Sequence, residues 1–203
     1  MGPRATPRTC KGGAWFLDAL IRFGYRGDIY PMNPRANEIM GLTAYPDIES
    51  LPRAPDYVIS CLPAVRNLQL VKECASKGVR AVSIFSSGFG EAGQEGRKLE
   101  RELVKVAREN GIRVVGPNCM GIYSPATGLS FHSGFSKVAG RVGLICQSGG
   151  NSIVFVLQGN DCGIRFSKVL SYGNAADLTE SDFLEYLAED PETGVIAIYI
   201  EGA

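Results

Sequence analysis

The sequence has no hydrophobic run long enough to cross a bilayer and no excess of charge of either sign. Its longest apolar run, around Ile153 to Leu157, is far shorter than the roughly 20 residues that a membrane-spanning helix needs. Lysine and arginine number 21, as do aspartate and glutamate, so that the formal charges balance. A general nucleic-acid binder gains its affinity from excess positive charge. We therefore expect neither a membrane nor a nucleic acid as a partner.

Cysteine pairs of the Cys-x-x-Cys type are also missing, and no metal site is predicted. Most cysteines lie in apolar strand or helix patterns, which indicates buried free thiols in a reducing compartment. Prolines and glycines between Pro3 and Gly13 break the amphipathic helix that a transit peptide needs. The prediction is a cytoplasmic protein with free cysteines at Cys10, Cys61, Cys74, Cys119, Cys146 and Cys162.

Alternating strand and helix patterns fill the first half of the chain. A βαβ unit that binds a nucleotide normally opens with a strand before its glycine-rich loop and first helix. That strand is missing before the first helical stripe, so the chain looks truncated at its start. The pattern predicts helices over 14–23, 65–77 and about 99–107, and strands over 28–30, 57–62 and 79–85.

The stretch Arg113 to Pro125 looks like the last strand of this domain and the hinge into the next. Alternation then resumes, with strands over 142–146, 166–170 and 195–200 and a helix over 151–157. Thr179 and Asp182 have the spacing of a capping box ahead of another helix. The sequence therefore predicts an α/β fold with parallel sheets in two domains, 1–122 and 141–203, joined by a connection over 123–140.

Ligands of open parallel sheets bind beyond the carboxyl ends of the strands, where turns and helix N-termini offer N–H groups to anions. Polar turns in any such fold need not be functional, so each remains a candidate. Five turns meet the description: Asn33 to Arg35, Pro63 to Arg66, Ser86 to Gly90, Gln147 to Gly150, and Glu201-Gly202.

The first domain does not satisfy the requirements for ordinary dinucleotide binding. No Gly-x-Gly-x-x-Gly follows a first strand, and no acidic residue follows the second to hold the ribose hydroxyls. Arg35 stands there instead, and a cation suits a phosphorylated ribose, as in NADP or coenzyme A, unless it is simply solvated. Arg8, Lys11 and Gly12-Gly13 are candidates to contact a diphosphate.

His132, Cys119 and Cys146 are the remaining candidates for chemistry. Histidine is able to accept a phosphoryl group or act as a general base, but no glycine-rich loop accompanies His132, which we interpret as a structural loop residue. The two cysteines have no paired base in the sequence and are interpreted as buried small residues.

Short turns containing Gly, Pro and Ser recur at characteristic places along nearly the whole chain. They are Met32-Asn33-Pro34, Gly41, Tyr45-Pro46, Pro63-Ala64, Ser87-Gly88-Phe89, Gly116 to Gly121 and Gln147-Ser148-Gly149. In order and spacing they resemble the NDP-forming acyl-CoA synthetases, which include ADP-forming acetyl-CoA synthetase and are similar to the succinyl-CoA synthetase alpha subunit. The resemblance implies a Rossmann-like CoA-binding domain followed by a partial flavodoxin-like α/β domain.

The resemblance also assigns roles to residues. Ser148 and Gly149 match the turn that binds the acyl carboxylate or phosphate, and Glu201 matches the acid that orients a phosphohistidine carried outside this chain. Contacts with coenzyme A are implied for Thr6, Arg8, Lys11, Gly13, Asn33, Pro34, Arg35, Pro63, Ala64, Val65, Ser87, Gly88 and Asn118.

The implied function is that of the CoA-binding fragment of an enzyme that interconverts acid, CoA and NTP with acyl-CoA, NDP and phosphate. Its partners are a small carboxylic acid or acyl-CoA, phosphate, and an ATP-grasp domain or beta subunit. Two alternatives stay open. One is the acyl-CoA-sensing module of a protein acetyltransferase, and the other is a fragment of an NADP-dependent oxidoreductase, which Arg35 suggests.

Overall fold

The structure, a computed structural model, describes residues 12–202. Helices alternate with the parallel strands of two sheets in this part of the chain, which confirms the predicted α/β class. Among these residues no helix is long and apolar enough to traverse a membrane. The helices are α1 (Gly13–Phe23), α2 (Ala64–Lys77), α3 (Gln94–Glu109), α4 (Gly149–Asp161) and α5 (Glu180–Glu189). The strands are β1 (Glu38–Ile39), β2 (Leu42–Thr43), β3 (Tyr57–Ser60), β4 (Ala81–Ile84), β5 (Arg113–Val115), β6 (Gly121–Tyr123), β7 (Val142–Cys146), β8 (Phe166–Ser171) and β9 (Val195–Tyr199).

The first sheet consists of three parallel strands in the order β3-β4-β5. Val58, Val82 and Val114 lie side by side across it and are all buried. Strands covered on both faces need aliphatic side chains on both, which is why these segments read as short continuous apolar runs. Helices α2 and α3 add Leu70, Val71, Cys74, Leu103, Val104 and Ala107 to the same core.

The prediction of a strand over residues 28–30 is wrong. That stretch is irregular, and the nearest β-type contact within residues 12–202 is an isolated bridge between Met32 and Tyr45. A strand persists only where its N–H and C=O groups meet a ladder, and Pro31 and Pro34 have no N–H to contribute. The chain instead forms the small antiparallel hairpin β1–β2.

The second sheet has the strand order β6-β8-β7-β9. Strand β7 runs parallel to both β8 and β9, whereas β6 runs antiparallel to β8. Residue 122, at which the sequence analysis ends the first domain, lies within β6. The capping box of α5 is confirmed, since the Thr179 N–H donates to Asp182 Oδ2 at 2.8 Å.

Aromatic residues join α1 to the second sheet. Phe23 contacts Tyr123 edge-on with ring centroids 5.7 Å apart, and Tyr123 contacts Phe135 at 5.0 Å. The Tyr123 hydroxyl donates to the Ser136 carbonyl at 2.6 Å. Residues 124–141 hold no helix or strand, but they bury Phe131 and Phe135 in the core that these rings share. This segment therefore packs against α1 and the second sheet.

The two sheets meet at a backbone junction, where the Gly116-Pro117 turn after the first sheet contacts the loop after β8. Asn174 N–H donates to the Pro117 carbonyl at 2.9 Å, and Ala176 N–H donates to the Gly116 carbonyl at 3.1 Å. Position 173 requires glycine, because a Cβ there would lie 2.2 Å from the Pro117 carbonyl oxygen and because its φ of +55° is strained for other residues. The junction fixes the loop after β8 beside the carboxyl end of the first sheet.

Candidate functional site

The carboxyl ends of β3 and β4 form one wall of an open cleft of about 390 Å³. Because the two strands are parallel, their C-terminal turns emerge at the same edge of the sheet. The chain turns from β3 into α2 through Cys61 to Pro63, and β4 continues into Phe85 to Ser87. The cleft is lined by Gly12, Cys61, Leu62, Pro63, Phe85, Ser86, Ser87 and Asn118.

Two helix N-termini open on this cleft. Gly12 is the N-cap of α1 and Pro63 is the N-cap of α2, and neither side chain caps its helix. Neither first turn holds an acidic residue. The first N–H groups of a helix, such as those of Ala64 and Val65, have no intrahelical acceptor, and the helix dipole favours negative charge near them. The cleft therefore has N–H donors nearby and a helix-dipole field that favour a bound anion.

Gly12 brings the start of α1 close to the end of β3. Its φ is +61°, a left-handed conformation that glycine adopts without strain. A Cβ at this position would lie 3.4 Å from the Cys61 Cβ. The narrow approach places α1 and α2 on either side of the same opening.

Asn67 stabilises the two turns that line the cleft, a role that the sequence analysis does not predict. Its side chain is fully buried, and its Oδ1 accepts a hydrogen bond from the Ser60 hydroxyl at 2.5 Å. Its Nδ2 lies within hydrogen-bond distance of the Leu62 and Pro63 carbonyls, at 3.2 and 3.1 Å, and of Ser86 Oγ at 3.4 Å. One amide thus joins the turns after β3 and β4. The sequence does contain a signal for this residue, because Asn67 is a polar side chain on the otherwise apolar face of α2, one turn before Leu70 and Val71.

The structure places three of the thirteen candidate residues for coenzyme binding in the lining of this cleft and four more beside it. Pro63, Ser87 and Asn118 line it. Gly13, Ala64 and Val65 belong to the first turns of α1 and α2. A Cβ at Gly88 would lie 3.1 Å from the Ala64 Cβ, which places the Gly88 turn against α2. The candidates Thr6, Arg8 and Lys11 lie outside the described residues.

Asn33, Pro34 and Arg35 form a separate exposed turn. The Asn33 side chain accepts a hydrogen bond from the Arg35 N–H at 2.9 Å, and the Asn33 N–H donates to the Tyr45 carbonyl at 2.8 Å. These two bonds fix the backbone of the turn. The Arg35 side chain is exposed and makes no ion pair within residues 12–202, so its guanidinium is available to an anion.

A second candidate site lies at the carboxyl end of β7. Ser148 is the N-cap of α4, and its hydroxyl accepts the Asn151 N–H at 3.4 Å. Gln147, which belongs to the same predicted turn, accepts the Glu201 and Gly202 N–H groups through its side-chain oxygen at 2.7 and 3.2 Å. The turn that holds Ser148 is therefore tied to the segment that holds Glu201.

Met120 connects the two candidate sites. A Cβ at Gly149 would lie 3.0 Å from the Met120 Cγ, which shows how closely the α4 N-terminus approaches this side chain. The Met120 N–H donates to Ser171 Oγ at 3.1 Å. Because Asn118 lines the cleft two residues earlier, the cleft and the Ser148 turn are neighbours.

The cysteines near the sites are not activated as nucleophiles. Burial raises the pKa values of Cys61, which lines the cleft, and of Cys119 and Cys146 to about 11. Since the thiolate is the reactive form, these cysteines behave as inert side chains at neutral pH. Partial burial lowers the pKa of His132, whose ring stacks on Phe135 at 4.9 Å and accepts the Gly134 N–H through Nδ1.

Comparison with known proteins identifies two family models and several relatives. A model described as "CoA binding domain" matches residues 5–125, and one described as "Succinyl-CoA ligase like flavodoxin domain" matches residues 139–203. The chain is 43% identical over 201 residues to acetate–CoA ligase (ADP-forming) I of Archaeoglobus fulgidus, with 98% of this chain and 29% of that protein covered. It is 37% identical over 203 residues to the acetate–CoA ligase (ADP-forming) I subunit alpha of Pyrococcus furiosus, with 98% and 44% covered.

Among solved structures, the chain is similar to the dinucleotide forming acetyl-coenzyme A synthetase 1 of Candidatus Korarchaeum cryptofilum in complex with phosphate and ADP. The TM-score is 0.90 at 36% identity, with 98% of this chain and 43% of that chain covered. The present chain thus spans less than half the length of each of these three relatives.

Proposed function

Because the chain belongs to the NDP-forming acyl-CoA synthetases and carries their CoA binding domain followed by their succinyl-CoA ligase like flavodoxin domain, we propose that it supplies the coenzyme A site of such an enzyme. Two uncapped helix N-termini that open on one cleft carry this proposal. They suit the diphosphate at the centre of coenzyme A, which is the ligand of the matched domain.

The walls of the cleft suit the remainder of that molecule. Leu62, Pro63 and Phe85 offer apolar surface to the pantetheine chain, and Ser86 and Ser87 offer hydroxyls to its amides. The combination of apolar walls and a few polar groups is typical of cofactor sites. On the outer turn, Asn33 and Arg35 would hold the adenosine end, with the guanidinium on the ribose 3′-phosphate.

The Ser148 turn is proposed to hold the second substrate. The N-terminus of α4 offers N–H groups to a carboxylate or phosphate. In the parent enzyme, acid, CoA and NTP would interconvert with acyl-CoA, NDP and phosphate through an acyl phosphate and a phosphohistidine outside this chain. Glu201 would orient that histidine.

The proposed partner is an ATP-grasp domain or beta subunit that binds the nucleotide. It is supported by the Pyrococcus furiosus relative, which is an alpha subunit. The substrates would be a small carboxylic acid or its acyl-CoA, together with phosphate.

Calorimetric titration with coenzyme A tests the site. Ser87 is exposed and lines the cleft, so Ser87→Trp should fill it and abolish binding. Ser76→Trp is the matched control, since Ser76 is exposed at the opposite end of α2 and should leave binding unchanged. Equal binding by the two variants would contradict the proposed site, and tighter binding of NADP than of coenzyme A would instead favour an oxidoreductase.

A further inference from the structure

Three consecutive N–H groups in the turn after β4 are held by glutamates. Gly88 and Phe89 N–H groups donate to Glu91 Oε1 at 2.5 and 3.2 Å. The Gly90 N–H donates to Glu100 Oε2 at 3.1 Å. Ser87, which precedes this turn directly, lines the cleft. The conformation of this cleft wall therefore depends on the positions of the Glu91 and Glu100 carboxylates.

A single residue of the second unit holds both carboxylates in place. Asn174 Nδ2 donates to Glu91 Oε2 at 2.5 Å and to Glu100 Oε2 at 2.9 Å. Two carboxylates so close together repel each other unless a donor lies between them, and one amide group has two hydrogens to offer. Asn118, another residue of the cleft wall, donates to Asn174 Oδ1 at 3.4 Å and fixes the orientation of the amide.

The backbone of Asn174 is itself anchored to both candidate sites. Its N–H donates to the Pro117 carbonyl, and the N–H of the preceding Gly173 donates to the Gln147 carbonyl at 3.1 Å. Gln147 directly precedes Ser148. Hydrogen bonds therefore connect the Ser148 turn to the cleft wall through Gly173, Asn174 and Glu91.

We propose that Asn174 is a positioning residue for coenzyme A, which holds the Gly88–Gly90 turn across the junction between the sheets and so links the cleft to the Ser148 turn. The affinity part of this inference rests on the proposed function of the cleft. Asn174 does not touch the ligand itself. Its effect passes through Glu91 and Glu100 to the backbone beside Ser87.

Two substitutions separate this role from a merely structural one. Asn174→Ala removes the donor and should weaken coenzyme A binding about tenfold, the typical effect of losing a hydrogen bond to a charged group. Asn174→Asp keeps the shape but adds a third carboxylate, and should weaken binding at least as much at pH 7.5. The charged groups that face it are Glu91, Glu100 and Arg97, whose guanidinium lies 3.5 Å from the Gly90 carbonyl.

The pH dependence of binding is the diagnostic measurement. Lowering the pH towards 5 should protonate one of the three crowded carboxyls in the Asn174→Asp variant and restore a donor. Its affinity should then recover relative to the unsubstituted chain, whereas that of Asn174→Ala should not. Asn110→Ala is the control, because within residues 12–202 the Asn110 side chain donates to the Val106 carbonyl of its own helix and contacts neither glutamate. Thermal denaturation of each variant verifies that it is folded.

Hydrogen exchange at the Gly88, Phe89 and Gly90 amides gives a readout that does not depend on coenzyme A. Faster exchange in Asn174→Ala than in Asn110→Ala is expected. Unchanged exchange would overturn the positioning role whatever the ligand, and unchanged affinity in a chain that binds coenzyme A would overturn its link to the cleft. Failure of the unsubstituted chain to bind coenzyme A would contradict the proposed function and the affinity part together, while exchange would still decide whether Asn174 holds the turn.

Discussion

The fully buried carboxylate of Asp177 accepts a hydrogen bond from Arg108 Nε at 2.6 Å, across the junction between the two sheets. The same carboxylate accepts from Arg113 Nε at 3.0 Å and from the Val114 N–H at 2.7 Å. Arg108 lies at the end of α3 and Arg113 at the start of β5, whereas Asp177 belongs to the loop after β8. The Asp177 side chain thus holds the loop after β8, which includes Asn174, against the first sheet.

Asp177→Ala should lower the free energy of unfolding by about 3 kcal/mol, because it removes a buried acceptor from two cations and one amide. Urea unfolding measures the change. Asp56→Ala is the control, since the Asp56 pair with Arg80 is exposed on both sides and should be worth less than about 1 kcal/mol. Equal losses in the two variants would contradict a junction fastened by Asp177.

Asn67→Leu should both destabilise the fold and weaken coenzyme A binding. The substitution removes the acceptor of the buried Ser60 hydroxyl and the donor shared by the Leu62 and Pro63 carbonyls. A buried polar group left unpaired costs about 1–3 kcal/mol. Urea unfolding and calorimetry measure the two effects, with the exposed Asn37→Leu as a control. Normal affinity in a destabilised but folded Asn67→Leu variant would show that Asn67 does not shape the cleft.

Arg35→Ala should remove the preference for the 3′-phosphate of coenzyme A. In the unsubstituted chain, coenzyme A should bind about tenfold more tightly than 3′-dephospho-coenzyme A, since one charge-assisted contact is worth about 1.5 kcal/mol. The variant should bind the two ligands alike, and Arg80→Ala, at the amino end of β4, should keep the difference. If Arg35→Ala retained the preference, another cation would hold the phosphate.

Lowering the pH from 7.5 to 5.5 should reduce stability through His132, which is the one histidine of the chain. Partial burial lowers its pKa in the folded state, while the unfolded imidazole titrates near its ordinary value of about 6.5. The unfolded state therefore binds the proton first, so that the contribution is complete above that value and is lost as the pH falls. His132→Phe, which preserves an aromatic ring beside Phe135, should show a shallower slope in urea unfolding, and an equal slope would assign the effect to other groups.

The sequence predicts local features of this fold better than contacts between distant segments. The strands predicted over 57–62 and 79–85 follow from patterns within a few residues, and the structure has strands at Tyr57–Ser60 and Ala81–Ile84. The capping box of α5 follows from local spacing as well, and the structure confirms it. The order of the turns also predicted the family, which the comparisons confirm. By contrast, the pairing of β6 with β8 joins Gly121 to Ser171, and nothing near Gly121 indicates its partner.

In the candidate site, too, local features are predictable from the sequence and contacts between distant segments are not. Pro63 and Ser87 are predicted from the turns at strand ends and Asn118 from the family resemblance, and all three line the cleft. Asn174 was not found, since its bonds to Glu91 and Glu100 cross 83 and 74 residues of sequence and only the junction brings them together. Long-range polar contacts of this kind have no local signature.

Backbone amide shifts during a coenzyme A titration test the central claim most directly. The account predicts the largest shifts in the first turns of α1 and α2 and at Ser86 and Ser87, the groups that surround the cleft. A second concavity of about 380 Å³ lies at the amino end of β5, lined by Arg108, Gly111, Ile112 and Arg113. Shifts confined to that concavity, or no shifts at all at saturating coenzyme A, would contradict the assignment of the cleft.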